Sequence, residues 1–301
     1  MVEALIRAFS FSRRAILWNA RAMHAWRCLG VLVASVLTSA AQAAEFDLII
    51  RNGLIFDGSG AAPFQGEVAV QRDRIAAVAP KIDGTADRIV DAQSRAIAPG
   101  FINMLSWANE SLLHDGRSQS DIRQGVTLEV LGEGESMGPL NESMRRAMID
   151  QQADLKYSVP WTTLGEYLDH LVAQGISPNV ASFVGAATVR VHEIGAANRA
   201  PTPEELARMQ QLVRDAMEEG ALGVASALIY APGFYAKTAE LIALARAAQP
   251  YGGLYISHMR SEGNRLLEAF DELSTIAREA KIPAHIYHLK AAGQSNWDKL
   301  D

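Results

Sequence analysis

The chain has 301 residues, 49% of them hydrophobic and 21% charged, with a mean hydropathy of +0.02; this excludes disordered and collagen-like chains and allows a sizeable buried core. Its 28 Lys and Arg stand against 34 Asp and Glu for a formal charge of −6, with no basic run anywhere. The electrostatic footprint of nucleic-acid binding is therefore missing.

From Met23 the sequence passes Arg27 and an apolar stretch, Leu29 to Leu37, to reach Ala41, Gln42 and Ala43. That is the pattern of a secretory signal peptide over residues 1–43, with cleavage near Ala43. The apolar stretch is shorter than the roughly 20 residues of a membrane span; a signal anchor is the alternative. Residues 1–22 carry Arg7, Arg13, Arg14 and Arg21, an unusually long n-region, so Met23 is a second candidate start. Losing residues 1–43 removes five Arg and one Glu, which takes the formal charge from −6 to −10. The expectation is an acidic, periplasmic or secreted chain without membrane association after cleavage. Cys28 is the single cysteine and lies inside the leader, so disulfides, thiol nucleophiles and cysteine-ligated metals are excluded from the mature chain.

Residues 44–98 read as a small β module. Phe46 to Arg51 is apolar and β-branched, Asn52-Gly53 predicts a hairpin turn, Leu54 to Phe56 resumes the strand, and Asp57-Gly58-Ser59-Gly60 predicts another turn. Gly66 to Gln71 and Arg74 to Val78 follow in the same style. A segment this short needs something larger to pack on.

From Pro99 to Asp301 strands alternate with helices. Strands are predicted at Ala96 to Met104, Thr127 to Leu131, Asn179 to Val184, Ala221 to Ala227, Gly253 to His258 and Pro283 to Leu289. A helix-like stretch ends near Gln124, and helices are predicted after the capping box Thr202-Pro203-Glu204-Glu205, over Thr238 to Gln249 and over Gly263 to Ala280. Repeated βα units imply a parallel sheet with helical cover, either doubly wound or a barrel. A full eight-stranded barrel needs about 250 residues, so six of eight βα units are expected, in a fragment short of its last two.

Of the seven histidines, His24 falls in the leader, and His114, His170 and His192 lie in helical or loop context. His258 and His288 each end a predicted strand, in Leu254-x-Ile256-x-His258 and Ala284-x-Ile286-x-His288, where alternation puts them on one face at the carboxyl end. Two imidazoles from adjacent strand ends make a metal-ligand geometry, against the alternative of hydrogen-bonded structural histidines. His285 has opposite parity and is expected to face the helices. With no cysteine available, the further ligands must be carboxylates; Glu133 or Glu135, in the glycine-rich run after Leu131, is the candidate, or a solvated acidic loop. Tyr230 and Lys290 stand near strand ends, either to bind an anionic substrate group or as exposed loop residues.

The stretches DLIIRNGLIFDGSG, APGFIN, DIRQGVTLEVLG, EEGALGVASALIYAPGFY, TAELIALARAA, GGLYISHMRSEG and IYHLKAAG, in that order, resemble the amidohydrolase superfamily and, within it, the N-acyl-D-amino-acid deacylases. The resemblance spans about 46 to 297. It implies a metal-dependent hydrolase-type (βα) TIM barrel, incomplete at the C-terminus, with a small β-sandwich over residues 44–98. It also implies zinc on His258 and His288, with Tyr230 and Lys290 on the carboxylate of an N-acylated amino acid.

The sequence departs from that pattern at several positions. Where the family has Asp-x-His-x-His, this chain has Asn103, Met104, Leu105, Ser106 and Trp107. Glu133, Gly134 and Glu135 replace Asn-Cys-Gly, and Gly185-Ala186-Ala187 replaces Gly-His-Gly. The family's metal-binding Asp base is expected beyond Asp301, so no catalytic base is assigned within the chain. Two outcomes follow. One is a single Zn2+ held by His258, His288 and a glutamate, serving hydrolysis of a linear amide in an N-acyl amino acid. The other is a catalytically inactive periplasmic binding protein on the same frame.

Overall fold

A computed structural model describes residues 44–301. The leader, with His24 and Cys28, lies outside the described residues.

The segment after the leader folds as one five-stranded sheet. Strands β1 (Phe46–Ile55), β2 (Phe64–Gln71), β3 (Arg74–Ala79) and β4 (Ala86–Asp91) lie in the order β3-β2-β1-β4, and β5 (Ala96–Ile97) pairs with β1. Ile49, Ala69 and Ile82 form its small core. Asn52-Gly53 does not make the predicted hairpin. Ile50 faces Val68 while Gly53 faces Gly66, so one extra residue bulges out of β1, and Asn52 takes a left-handed φ of 57°. A second layer facing this sheet is not present among the described residues.

The predicted strand from Ala96 to Met104 is two strands in different sheets, divided at Pro99-Gly100: β5 stays with the first sheet, and β6 (Phe101–Asn103) opens the second. Proline removes a ladder donor and restricts the residue before it, which is reason enough for the break. The second sheet continues with β7 (Val126–Leu131) and β8 (Asn179–Ser182), all parallel. The chain turns at Phe183 into β9 (Val184–Gly185), which pairs with β10 (Gly223–Ala227); β11 (Leu254–His258) and β12 (Ala284–Ile286) follow, again all parallel. The run 179–185 thus joins two sheets into one arc of strands in chain order, which does not close among the described residues.

The helices cover the outer side. They are α1 (Ser111–His114), α2 (Gln119–Ile122), α3 (Glu142–Asp150), α4 (Leu164–Gln174), α5 (Ala186–Ile194), α6 (Pro203–Glu218), α7 (Thr238–Ala248) and α8 (Leu266–Ala280). The helix-like stretch before Gln124 is the two short pieces α1 and α2, and α8 starts three residues later than predicted. In α6, Met209, Val213, Ala216 and Met217 are buried; in α8 the stripe is Leu266, Ala269, Leu273, Ile276 and Ala280. Both follow helical spacing. These side chains join a large core with Tyr255, Leu131 and Val224. A second core, from the strands and the residues just after them, fills the inside of the arc: Val130, Phe183, Ala225, Ile256 and Tyr287. No helix among the described residues is long and apolar enough to cross a membrane.

Candidate metal centre

Three loops bring the chemistry to the carboxyl ends of the strands. After β7 the chain must turn sharply past β9 and β10, and glycine makes that approach feasible. A Cβ on Gly134, which has φ +74°, would stand 2.6 Å from Ala227 Cβ, and one on Gly185 would stand 2.5 Å from the Gly134 carbonyl oxygen. Ser136 fixes the loop: its Oγ accepts from Gly185 N at 3.0 Å, and its N–H donates to Thr188 Oγ1 at 2.8 Å. Ala187 N–H donates to the Gly134 carbonyl at 3.0 Å. Pinned this way, the loop turns Glu133 inward, with its side chain only 7% exposed, while Glu135 stays exposed.

His258 ends β11 on the same side as Leu254 and Ile256, as alternation requires. His288 arrives differently. Ala284 and Ile286 pack on the helix-side core and Tyr287 on the inner one, so β12 has the opposite parity to the predicted one. His285 pairs in register with Ile256 and shares its inner side, so it does not face the helices. His288 lies beyond the end of β12, and its left-handed φ of 36° breaks the alternation and turns the ring toward His258. The ring centroids are 4.4 Å apart at 83°.

The three side chains meet on one oxygen. Glu133 Oε1 is 3.1 Å from His258 Nδ1 and 2.9 Å from His288 Nε2. One ligand atom from each of Glu133, His258 and His288 lies within 4.8 Å of the others, a nitrogen-nitrogen-oxygen donor set that suits a divalent transition metal. A residue that sequence reasoning missed completes the ring: Glu262 Oε1 stands 3.4 Å from His258 Nε2, 3.2 Å from His288 Nδ1 and 2.5 Å from Lys290 Nζ. It sits in the loop of HMRSEG, where strand alternation gives no signal.

The ring nitrogens of the two histidines differ in how they are met. A neutral imidazole has one N–H and one lone pair. For His288 both are accommodated, because Lys290 Nζ lies 2.8 Å from Nδ1 and can donate to it while Nε2–H donates to Glu133. For His258, donation from Nδ1 to Glu133 leaves Nε2 buried without a hydrogen-bond partner and facing the Glu262 carboxylate. Such an orphaned lone pair is costly unless an electrophile meets it. Behind the site, burial first and Glu133 second push the Tyr287 phenol above its ordinary range.

The structure places the other candidates as follows. Tyr230 lies edge-on to His258, with ring centroids 5.3 Å apart. Lys290 reaches the cluster through Glu262 and His288. Glu135 stays outside the three-residue convergence. His114, His170 and His192 are on α1, α4 and α5. Leu105 and Trp107, at the family's histidine positions, diverge: Leu105 packs on the inner core, and Trp107 turns out beside Glu133.

No family model matches the chain. The D-aminoacylase of Alcaligenes xylosoxydans xylosoxydans is 35% identical over 262 residues, 87% of this chain and 54% of that protein. The N-acyl-D-glutamate deacylase of the same organism is 32% identical over 258 residues, 85% and 52% of the two chains. Among solved structures, N-acyl-D-glutamate deacylase from Bordetella bronchiseptica, complexed with zinc and a phosphonate mimic of the tetrahedral intermediate, matches with TM-score 0.76 and 30% identity, over 85% of this chain and 54% of that one. A D-aminoacylase structure described for one-metal activation and second-metal attenuation at its binuclear centre matches with TM-score 0.75 and 33% identity, over 83% and 53%. The chain spans about half the length of these relatives.

Proposed function

We propose, from the premise that this chain belongs to the D-aminoacylase-like amidohydrolases, that it carries the metal-binding part of a hydrolase that cleaves the amide of N-acyl-D-amino acids. The observation that carries this reading is the convergence of Glu133 with His258 and His288. The six strand positions in chain order support a (βα)8-type barrel with its site at the carboxyl ends.

One Zn2+ per chain is proposed, held by Glu133, His258 and His288. Leu105 and Trp107 offer no donor where the family pattern has a second metal's histidines, and one-metal activation is attributed to the D-aminoacylase relative. When bound, such an ion polarises an amide carbonyl and lowers the pKa of water toward about 7. The chain's own residues supply the rest. Lys290 is anchored by Glu262 with its ammonium beside the cluster, positioned to hold the carboxylate of the amino acid. Tyr230, edge-on to His258, brings a hydroxyl to the same mouth. Glu262 orients both Lys290 and the His288 ring, the second tier of contacts that metal sites depend on. Export to the periplasm or beyond is proposed from the leader pattern of residues 23–43, and N-terminal sequencing of the exported protein should begin near Ala44.

Zinc measured by mass spectrometry should be about one equivalent in the metal-loaded protein and close to none in His258→Ala. Stoichiometric zinc retained by the variant would sink the ligand assignment. Free amino acid released from N-acetyl-D-amino acids by a metal-loaded protein of its relatives' full length tests the chemistry, and its absence would refute the hydrolase reading while leaving the metal result standing.

A further inference from the structure

Arg260 stands between His258 and Glu262, in the irregular run 259–265 that joins β11 to α8. Strand pairing ends at His258 and the helix begins only at Leu266, so other contacts must set the direction in which Glu262 points. Met259 packs into the helix-side core, and from the loop after β12 the Ala292 N–H donates to the Glu262 carbonyl at 2.6 Å. The principal anchor is the guanidinium of Arg260.

That guanidinium is shared between two elements. Its Nε–H donates to Glu272 Oε2 at 2.8 Å and its Nη2 to Glu272 Oε1 at 3.0 Å, a bidentate grip on α8. Nη2 also donates to the Ala236 carbonyl and Nη1 to the Phe234 carbonyl, both at 2.8 Å, in the loop after β10. The Phe234 ring lies against it, 5.9 Å from Cζ to the ring centroid. Glu272 is held in turn, since its Oε1 accepts from Thr238 Oγ1 at 2.8 Å at the start of α7. The two charged side chains are 22% and 13% exposed, so this is no solvent-screened surface pair. None of these hydrogen bonds goes to the metal cluster. What Arg260 does for the cluster passes through Glu262, two residues on, whose Oε1 stands 3.2 Å from His288 Nδ1 and 2.5 Å from Lys290 Nζ.

We infer that Arg260 is a positioning residue for the metal centre: its fork of donors fastens the loop after β11 to α8 and to the loop after β10, so that Glu262 meets His288 and Lys290. The inference rests on the proposed reading of Glu133, His258 and His288 as metal ligands and adds the support behind them. Charge alone does not suffice. A lysine at this position is a point charge that cannot serve both carboxylate oxygens and both carbonyls at once.

The test uses the full chain, zinc-loaded and metal-free. Arg260→Lys keeps a cation beside Glu272 and so keeps the fold. Chelator competition should show zinc bound about tenfold more weakly in Arg260→Lys and in Glu262→Gln. The double variant should lose no more than Glu262→Gln alone, because both changes remove the same contact. Losses that multiply, or parent-like affinity in Arg260→Lys, would overturn the inference. A second readout needs no metal. In the metal-free protein the His288 ring resonances should move in Arg260→Lys in the same direction as in Glu262→Gln, while those of His170, on α4, stay in place. Unmoved His288 resonances, or His170 resonances that move as far, would also overturn it. A parent that binds no zinc would remove the metal reading instead, and the His288 resonances would then decide the inference by themselves.

Discussion

Glu133 and Glu262 together bring two negative charges to a space they share with two imidazoles and one ammonium, so without further cations the cluster is anionic when the imidazoles are neutral. A divalent ion at the proposed site would offset that imbalance. The glutamate reaches its place only because the backbone behind it lacks a side chain. In Gly134→Ala a methyl group would have to stand 2.6 Å from Ala227 Cβ at a left-handed φ, so the loop must move and carry Glu133 with it. The variant should keep its fold and lose about 10- to 100-fold in zinc affinity, as disturbed supporting contacts do; competition with a fluorescent chelator measures it. Zinc affinity equal to the parent would show that the loop is not what sets Glu133. His258 was legible as a strand-end residue because β11 keeps strict alternation. The same rule points to His288 for a wrong reason: its strand has the other parity, and a single left-handed residue restores the convergence. Alternation is silent for Glu262, which sits on a loop.

Elements were legible where their ends carry local chemistry. The capping box Thr202-Pro203-Glu204-Glu205 starts α6 where the sequence places it, with Thr202 Oγ1 accepting from Glu205 N at 3.2 Å. The same signature in Thr163 and Glu166 starts α4 and was equally readable. By contrast, Asn52-Gly53 resembles a turn but serves as a bulge, because pairing with β2 and β4 on both sides keeps β1 extended; tertiary pairing overrides a dipeptide preference. Thr202→Ala should cost about 1 kcal/mol of stability by urea denaturation. The pH dependence of the same helix end follows from Glu205, whose carboxyl is lowered to about 2, chiefly by the Arg199 hydrogen bond and then by Thr202 N–H. A carboxyl lowered in the folded state contributes stability above its unfolded value near 4.5, and that contribution is lost as pH falls through about 2. Melting temperature should therefore fall more steeply between pH 4.5 and 2 in the parent than in Glu205→Gln; parallel curves would refute the assignment.

Across the whole molecule, the arc of strands is held by helices that touch in sequence, and one buried ion pair ties two of them together. Arg190 of α5 is fully buried and Glu240 of α7 is 4% exposed, with Arg190 Nη1 at 2.8 and 2.6 Å from the two carboxylate oxygens. Arg190 Nη2 also donates to the carbonyls of Ala197 at 3.0 Å and Arg199 at 2.5 Å, which seals the loop before α6. The pair bears on the site from both ends, since α5 begins at the Gly185-Ala187 wall that holds the Glu133 loop, and α7 leads into β11 and His258. Desolvation makes such a pair a poor source of net stability, yet removing one partner strands the other charge in the core. Glu240→Leu alone should lose about 3 to 5 kcal/mol, whereas Arg190→Met with Glu240→Leu should recover much of that loss, short of full recovery because the Ala197 and Arg199 carbonyls lose their donor. A double-mutant cycle in urea, with zinc retention followed in parallel, distinguishes a charge left unpaired from simple loss of packing. If the double variant is as unstable as the single one, the pair contributes through volume and shape, and the link between α5 and α7 must be sought in their apolar contacts.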